Sequence, residues 1–327
     1  MAALSRLDRF TAAMESIYGS LTTVDPHTWT PPAASGGHRG RYLWTDAFGV
    51  LNLLTMHKEK GAAAAAAATA QATTGSDRYL VLAKQLVHAV HETLGRTRDG
   101  SARLPGASDA NPLGGGLRIG KLDATGPDGD GQYHHYLTIW MFALNRLALA
   151  AGEPKYNAQA VALAKAIHPK FFFGGSQASS RPRLVWKMDV DLSNPLVASE
   201  GNLDPIDGYV VFRLLQDAAE GTAKSGEESE TQGRVLVDEI ADYQRIMARK
   251  GEHFVSSDPL DLGMTLWTAH WYAGEPWAAN LAGKCFQQIC KSYLNFCSLT
   301  LFTLTCRLPF RGQQLSQPQH QAPACLP

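Results

Sequence analysis

The stretch Gly120–Ala150, GKLDATGPDGDGQYHHYLTIWMFALNRLALA, sets the architecture that we expect for the rest of the chain. Its first part is rich in glycine and aspartate, which favour turns and helix starts. From Gln132 onward, apolar residues recur at helical spacing and leave almost no polar face, and a helix of this kind is buried on all sides. His134 and His135 lie in its first turn. A buried helix that begins beside titratable groups predicts the floor of a pocket.

Helices that are apolar on most sides alternate along the chain with helices that have one apolar face. The apolar helices are predicted at 40–58 and from residues 132, 204 and 258, and the amphipathic helices at 77–94, 155–168 and 228–250. Two concentric layers require this order, because inner helices contact neighbours on every side and outer helices face water. We therefore predict an all-α fold, an (α/α)6 toroid of helical hairpins, which is incomplete at its C-terminus if the last segment is not native.

Three local patterns refine this prediction. Asp204-Pro205-Ile206-Asp207 and Asp258-Pro259-Leu260-Asp261 have the residues of a helix start, with Asp as the cap and Pro in the first turn. If the inner helices begin at the same rim, the functional site is expected at that rim. The alternating segment Arg183–Leu192 predicts a small β-hairpin. The alanine-rich segment 61–76 predicts a variable loop with some helix.

The openings of the apolar helices resemble those of the six-hairpin glycosidase-like superfamily over roughly residues 5–280. These openings read WTDAFGVLNLL, GQYHHYLTIWMFALNRLA, DPIDGYVVFRLLQ and DPLDLGMTLWTAHWYAG. The resemblance implies an (α/α)6 barrel and an activity among glucosidase-type hydrolases, unsaturated glucuronyl hydrolases and N-acylglucosamine 2-epimerases. Hydrolases of the superfamily use carboxylates and its epimerases use histidines. No single family's catalytic motif aligns with this chain residue by residue, so we transfer no catalytic role.

The charge balance excludes some classes of partner. The chain has 30 Lys and Arg residues and 30 Asp and Glu residues. Nucleic acids and anionic membrane surfaces need a basic protein surface, so neither is expected as the main partner. No apolar run is long enough to span a bilayer. The segment MAALSRLDRFTAAMESIYGS lacks the apolar core of a secretory signal, and we expect a cytoplasmic protein.

The last part of the chain differs in composition from the rest. All five cysteines lie at or after Cys285, and no Asp or Glu follows Glu275. An odd number of cysteines without C-x-x-C spacing supports neither a disulfide framework nor a zinc site. We therefore separate a toroid domain, 1–283, from an atypical segment, 284–327, which we interpret as a retained intron or a disordered tail. Codons for Gly283-Lys284-Cys285 can contain a GTAAGT splice donor. The alternative is a genuine cysteine-bearing helix.

Hydrolysis of a glycosidic bond needs two carboxyl groups, and we draw this pair from Asp46, Asp123, Asp207 and Asp261. Asp123 has no evident capping role. Asp46 lies inside an apolar helix, where an unpaired carboxylate is unfavourable, so it either faces a wet cavity or has a specific partner. Asp207 and Asp261 follow the two helix starts as capping or rim carboxylates. His135 is the candidate acid or base for epimerisation, since imidazole titrates near neutral pH.

Side chains that suit a sugar ring complete the predicted site, because aromatic faces pack against sugar rings. We assign substrate binding to Tyr42, Trp44, Tyr133, His134, Asn202 and Trp267. No metal is expected, because His88 and His91 form an H-x-x-H pair on an amphipathic helix without a nearby carboxylate motif. No cofactor is expected either, since the glycines near Gly116 match neither a P-loop nor a dinucleotide fingerprint. The sequence predicts a carbohydrate-active hydrolase with a small-molecule substrate. The alternatives are a sugar epimerase or isomerase and a non-catalytic small-molecule-binding relative.

Overall fold

A computed structural model describes residues 5–33, 35, 41–67, 70–126, 128–174, 181–223 and 234–305 of this chain. The helices are α1 (Arg6–Tyr18), α2 (Leu43–Ala67), α3 (Ala70–Leu94), α4 (His134–Ala151), α5 (Lys155–Phe171), α6 (Asp204–Ala223), α7 (Val237–Arg249), α8 (Pro259–Ala269) and α9 (Pro276–Thr305). Short 3-10 helices follow α7 and α8 at Gly251–His253 and His270–Tyr272. Two-residue strands occur at β1 (Gln132–Tyr133), β2 (Phe172–Phe173), β3 (Arg183–Leu184) and β4 (Lys187–Met188).

Helix α4 is buried along most of its length, as the sequence predicts. Its side chains from Leu137 to Asn145 are all buried, and α2, α5 and α6 pack around it. Helix α4 is capped at its C-terminal end by Gly152, which adopts the left-handed conformation that glycine accepts without a steric penalty. Within the described part of the chain, neither α4 nor any other helix is long and apolar enough to cross a membrane.

Consecutive helices pack against each other in pairs, α2 with α3, α4 with α5, α6 with α7 and α8 with α9. The first members of these pairs also pack in sequence, α2 on α4, α4 on α6 and α6 on α8. Helix α7 illustrates the outer type, because only Tyr243, Ile246 and Met247 on one face are buried. The predicted all-α class is therefore confirmed. A closed toroid of six hairpins goes beyond these contacts and stays a prediction.

The predicted hairpin at Arg183–Leu192 is correct only in part, because β3 and β4 do not pair with each other. Strand β3 pairs with β2, placing Leu184 opposite Phe172, and β4 pairs with β1, placing Met188 opposite Gln132. The segment therefore ties the end of α5 to the start of α4, and the chain folds back only after Met188, which forms an antiparallel bridge with Pro195. Alternation of apolar and polar residues specifies a strand and its buried face, but it does not specify the partner strand.

The alanine-rich segment is more helical than the sequence analysis expects. Helix α2 continues to Ala67 and α3 begins at Ala70, so both helices extend beyond the predicted bounds. Alanine has the highest intrinsic helix propensity, which explains the extension. At the other end of the chain, α9 runs across Gly283 without a break, and Cys285 is buried against the same cluster as Leu281. The retained-intron hypothesis stays a prediction, which sequencing of the transcript tests, and residues 306–327 lie outside the described residues.

Candidate functional site

A cavity of about 520 Å³ lies where α4, α6 and α8 begin. Its wall is formed by His135, Trp186, Ser199, Glu200, Gly201, Asn202, Leu203, Asp204 and Asp261. His135 lies in the first turn of α4, Asp204 opens α6 and Asp261 lies in the first turn of α8. The unpaired N–H groups of a helix start are electropositive and favour carboxylates. The structure therefore brings both Asp-Pro-x-Asp helix starts and the histidine-bearing turn of α4 to one cavity.

The two Asp-Pro-x-Asp motifs use their first aspartate differently. Asp258 caps α8, because its Oδ1 accepts hydrogen bonds from the backbone N–H groups of Leu260 (2.8 Å) and Asp261 (3.2 Å). Asp204 is itself the first residue of α6, and its carboxylate lies beside the two histidines of α4. The capping prediction is thus confirmed for Asp258, whereas the carboxylate of Asp204 is directed to the cavity and to α4.

Behind the cavity wall, Asp204, His134 and Tyr243 form a buried polar chain. His134 is fully buried, with its Nδ1 3.2 Å from Oδ1 of Asp204, in an approach that is off the ideal hydrogen-bond direction. Its Nε2 lies 2.5 Å from the Tyr243 hydroxyl. Burial, followed by the nearby Asp204 charge, raises the pKa of Tyr243 well above its ordinary value, so this hydroxyl stays protonated at neutral pH and can donate a hydrogen bond to Nε2.

The cavity combines an ionised carboxylate with a neutral imidazole. Burial by itself would raise the pKa of Asp204, but the neighbouring His134 and His135 lower it below its ordinary value. Burial lowers the pKa of His135, and the negative charge of Asp204 offsets part of that decrease. Nδ1 of His135 lies 3.9 Å from Oδ1 of Asp204, and its side chain is 26% exposed. Groups in these two states can accept a proton from a substrate at neutral pH.

Asp207 lies one helical turn after Asp204 and does not line the cavity. Its Oδ1 accepts a 2.9 Å hydrogen bond from the Thr268 hydroxyl of α8. Burial, followed by the negative charges of Asp204 and Asp261, raises the pKa of Asp207 to about 8. Like charges that share a dry site cannot all ionise, so Asp207 is a protonated carboxyl group at neutral pH.

Replacing Asp207 by asparagine should remove a pH-dependent loss of stability. The folded-state pKa of Asp207, about 8, lies above its ordinary value of 3.8, so folding is favoured by protonation of this group. Its contribution to the free energy of unfolding falls as pH rises from about 4 through about 8, by at most about 1.4 kcal/mol per pH unit. Asparagine keeps an oxygen for Thr268 and does not titrate. Thermal melts should show Asp207→Asn gaining stability relative to wild type between about pH 5 and pH 8.

The control for this experiment is Asp217→Asn, which changes an exposed aspartate on the same helix. We expect the difference in melting temperature between the control and wild type to be the same at about pH 5 and at about pH 8. A difference between Asp207→Asn and wild type that stays constant with pH would contradict a protonated Asp207.

An aromatic cluster surrounds His135. Its rings belong to Tyr42, Trp44, Tyr133, His135, Tyr136 and Trp186. The Trp44 ring lies 5.6 Å from the His135 ring, and Trp186 lies 5.4 Å from Tyr133. Tyr42 and Trp44 are half-buried and Tyr133 is buried, whereas Trp186 reaches the cavity. Of these aromatic side chains, Trp186 and His135 therefore offer a face to a ligand, and the others support them.

Besides Asp207, two more of the predicted catalytic carboxylates are not part of the cavity. Asp123 is exposed in the loop before α4, where its backbone carbonyl accepts a 2.7 Å hydrogen bond from the Asp130 N–H group. Asp46 is fully buried and forms an ion pair with Arg41, with Oδ2 2.7 Å from one guanidinium nitrogen. Of the two possibilities left open for Asp46, the structure therefore shows a specific partner. Neither carboxylate can meet a substrate in the cavity.

Five of the six residues predicted to bind substrate do not line the cavity, namely Tyr42, Trp44 and Tyr133 of the aromatic cluster, and also His134 and Trp267. His134 is buried behind the cavity wall and contacts Asp204 and Tyr243 instead of solvent. Trp267 lies near the end of α8 and lines a different cavity. The predictions for His134 and Trp267 fail for the same reason. The cavity that a helical side chain faces is determined only once the neighbouring helices are placed. Asn202, by contrast, lines the cavity as predicted.

Six of the residues that line the cavity are absent from the predicted site, and three of them bear on its chemistry. Asp204 carries the recognisable Asp-Pro signal of a helix start, which explains its interpretation as a cap. Trp186 lies between β3 and β4 in a segment interpreted as a hairpin. Glu200 also lines the cavity, where Arg249 pairs with it at 3.0 Å. Only the pairing of β4 with β1 and the packing of α6 on α4 bring these side chains beside His135.

Within the described ranges, no group of three or more His, Cys, Asp or Glu side chains is arranged to hold a metal ion. Comparison of the chain with known protein families, with characterised proteins and with solved structures gave no match.

Proposed function

We propose that this protein is a carbohydrate-active enzyme that hydrolyses a glycosidic bond in the cavity at the start of α4, α6 and α8. The observation that carries this proposal is that the wall of one cavity holds the carboxylate pair Asp204 and Asp261, in addition to Glu200, which pairs with Arg249. Glycoside hydrolysis uses such a pair, one carboxyl group to protonate the leaving oxygen and one to activate water or attack the sugar. The hairpin order of the helices is compatible with a member of the six-hairpin glycosidase-like superfamily.

The environments of the two carboxylates favour different tasks. Asp204 has a lowered pKa and is held next to His134 and His135, so it is suited to act as the ionised partner. Asp261 enters the cavity from α8, and its Oδ2 accepts a 2.9 Å hydrogen bond from the Ser256 hydroxyl. That bond orients the carboxyl group. We assign Asp204 as the ionised base or nucleophile and Asp261 as the second carboxyl group of the pair.

The rest of the wall suits a polyhydroxylated ligand. Trp186 offers an aromatic face, and Ser199 and Asn202 offer hydroxyl and amide groups that can bind sugar hydroxyls. A cavity of about 520 Å³ lies within the size range of small-molecule sites. The substrate class is therefore a small glycoside.

Asp261→Asn tests the proposal on a panel of aryl glycosides and reducing-end-labelled oligosaccharides. We expect wild-type turnover of at least one member and a decrease in kcat of about 10²–10⁴-fold in the variant, with substrate binding retained. The matched control Asp109→Asn removes an exposed carboxylate far from the cavity and should keep wild-type activity. Turnover that Asp261→Asn leaves intact would overturn the assignment.

The second candidate is a sugar epimerase or isomerase, favoured by the neutral imidazole of His135 beside Asp204. Its signature is incorporation of solvent deuterium into recovered sugar, which His135→Ala should abolish while a hydrolase incorporates none at carbon. A binding protein without activity would show thermal stabilisation by a sugar and no turnover on the panel. Each of these results would replace the hydrolase proposal.

A further inference from the structure

A second cavity, of about 560 Å³, lies among α2, α4 and the end of α8. We call it the Arg146 groove, and its lining residues are Leu51, Leu54, Thr55, His57, Lys58, Phe142, Arg146, Ala150, Trp267 and Trp271. Along α4, Arg146 follows His135 by 11 residues, which corresponds to about 16 Å of helix. The groove is therefore separate from the cavity at the helix starts, and ligand binding in it is independent of the proposed function.

Arg146 brings a half-buried positive charge to this groove. Its guanidinium carbon lies 4.7 Å from the centre of the Trp271 ring and 5.2 Å from that of Phe142. Its Nε, at 2.9 Å, and its Nη2 both donate hydrogen bonds to the neutral amide oxygen of Asn145. Among the described residues it forms no ion pair, and the residues that line the groove include Lys58 and His57 but no carboxylate. A cation that is partly removed from water without an anion is electrostatically unsatisfied.

Trp271 adds an unsatisfied donor at the same place. Its indole Nε1 is buried and finds no acceptor within the described part of the chain. A buried indole N–H normally has a hydrogen-bond partner, because leaving it unpaired is unfavourable. The groove thus combines an unpaired N–H group, a cation without an anion and the half-buried rings of Trp267 and Trp271.

Arg213 provides a comparison within the same protein. Its guanidinium group also stacks on aromatic rings, 3.9 Å from the centre of Tyr272 and 5.0 Å from that of Tyr209. Unlike Arg146, it forms a two-pronged ion pair with Glu275 at 2.6 and 3.1 Å. The fold therefore supplies a carboxylate to one stacked arginine and none to the other. What is missing at Arg146 is the anion.

We propose that the Arg146 groove binds a small aromatic carboxylate. The carboxylate of the ligand would pair with the Arg146 guanidinium group and accept a hydrogen bond from the Trp271 N–H group. The aromatic ring of the ligand would pack on Trp267 and Leu51. A guanidinium group forms two parallel hydrogen bonds with a carboxylate, which gives both affinity and orientation. The apolar walls supply the remaining burial.

Titration calorimetry with 2-naphthoate and its uncharged analogue 2-naphthamide tests this inference. The two probes share size and ring system, so their difference in affinity reports the charge. We expect 2-naphthoate to bind with one-to-one stoichiometry and about tenfold or more tightly than the amide, as a charge-assisted contact implies. In Arg146→Met, which keeps the stem of the side chain, the two affinities should become equal.

Two controls locate the effect. Arg213→Met removes the other stacked arginine, and Asp261→Asn alters the other cavity, so both should keep the wild-type preference for 2-naphthoate. Trp271→Phe keeps an aromatic ring but loses the indole N–H donor, and it should weaken 2-naphthoate binding by a few fold. This variant decides the question if Arg146→Met lacks a cooperative thermal transition. Equal affinity of the wild type for both probes, no binding of 2-naphthoate at about 1 mM, or a preference that survives Arg146→Met and Trp271→Phe would overturn the inference.

Discussion

Asp204→Asn is expected to lower kcat/KM by about 10²–10⁴-fold, the range for loss of a group that transfers protons or stabilises charge. Asparagine keeps the size of the side chain but removes the negative charge between His134 and His135. In the wild type that charge raises the pKa of His135 against the effect of burial. The variant should therefore also shift the His135 limb of the pH–rate profile to lower pH. A defect in packing alone would lower activity without moving that limb.

Asp258→Asn is the matched control for Asp204→Asn, because both residues open an Asp-Pro-x-Asp motif. The Asp258 side chain accepts hydrogen bonds from backbone N–H groups in the first turn of α8. Asparagine caps helices about as well as aspartate. We expect Asp258→Asn to keep activity within about twofold of wild type and to melt at nearly the same temperature. Equal losses in the two variants would show that the motif acts only through helix stability and would contradict a chemical role for Asp204.

Arg41→Met is expected to lower the free energy of unfolding by about 3–5 kcal/mol, the cost of leaving a buried carboxylate without its cation. Arg41 and Asp46 are both buried, with the Arg41 Nε donating to Oδ2 at 3.0 Å. The Tyr18 hydroxyl donates to Oδ1 at 3.1 Å, but it carries no charge to replace the guanidinium group. Urea denaturation gives the change in the free energy of unfolding, provided that its dependence on urea concentration is the same in the variant and in wild type.

The loss in Arg41→Met should depend on pH. Burial already raises the pKa of Asp46 to about 6 even though Arg41 lowers it, and removal of Arg41 raises it further. Because the folded state then binds this proton more tightly than the unfolded state, the variant is destabilised most above that pKa and recovers as pH falls through it. The destabilisation should thus be larger at about pH 8 than at about pH 5.

Arg98→Met is the control for this prediction. Arg98 also pairs with a buried carboxylate, that of Asp130, at 2.7 Å. Asp130 keeps a second cation, Arg118, at 3.2 Å and a hydrogen bond from the Gly120 N–H group, and Arg98 is partly exposed. We expect Arg98→Met to lower the free energy of unfolding by less than about 1 kcal/mol. Equal effects of the two arginine variants would contradict the view that Asp46 depends on a single cation.

Local patterns in the sequence predicted the helices and some of their boundaries. The apolar period identified α4 as a buried helix, and the Asp-Pro signal placed the starts of α6 and α8 at Asp204 and Asp258. These features depend on neighbours within one helical turn, so the sequence contains the information directly. The same reasoning correctly expected His135, Asn202 and Asp261 at one rim, because helices of one layer that begin alike share an end.

The choice of partners needed the tertiary structure. The sequence alone did not show that Asp46 pairs with Arg41, that β4 pairs with β1, or that Asp123 is left in solvent. It also assigned Asp204 to helix capping, whereas packing of α6 on α4 places this carboxylate 3.2 Å from His134. An aspartate has the same local signature as a cap, a buried ion and a cavity wall residue. For Asp204, Asp207 and the neighbouring His134, the deciding contacts join residues 61 to 109 positions apart, and only the packing of the helices creates those contacts.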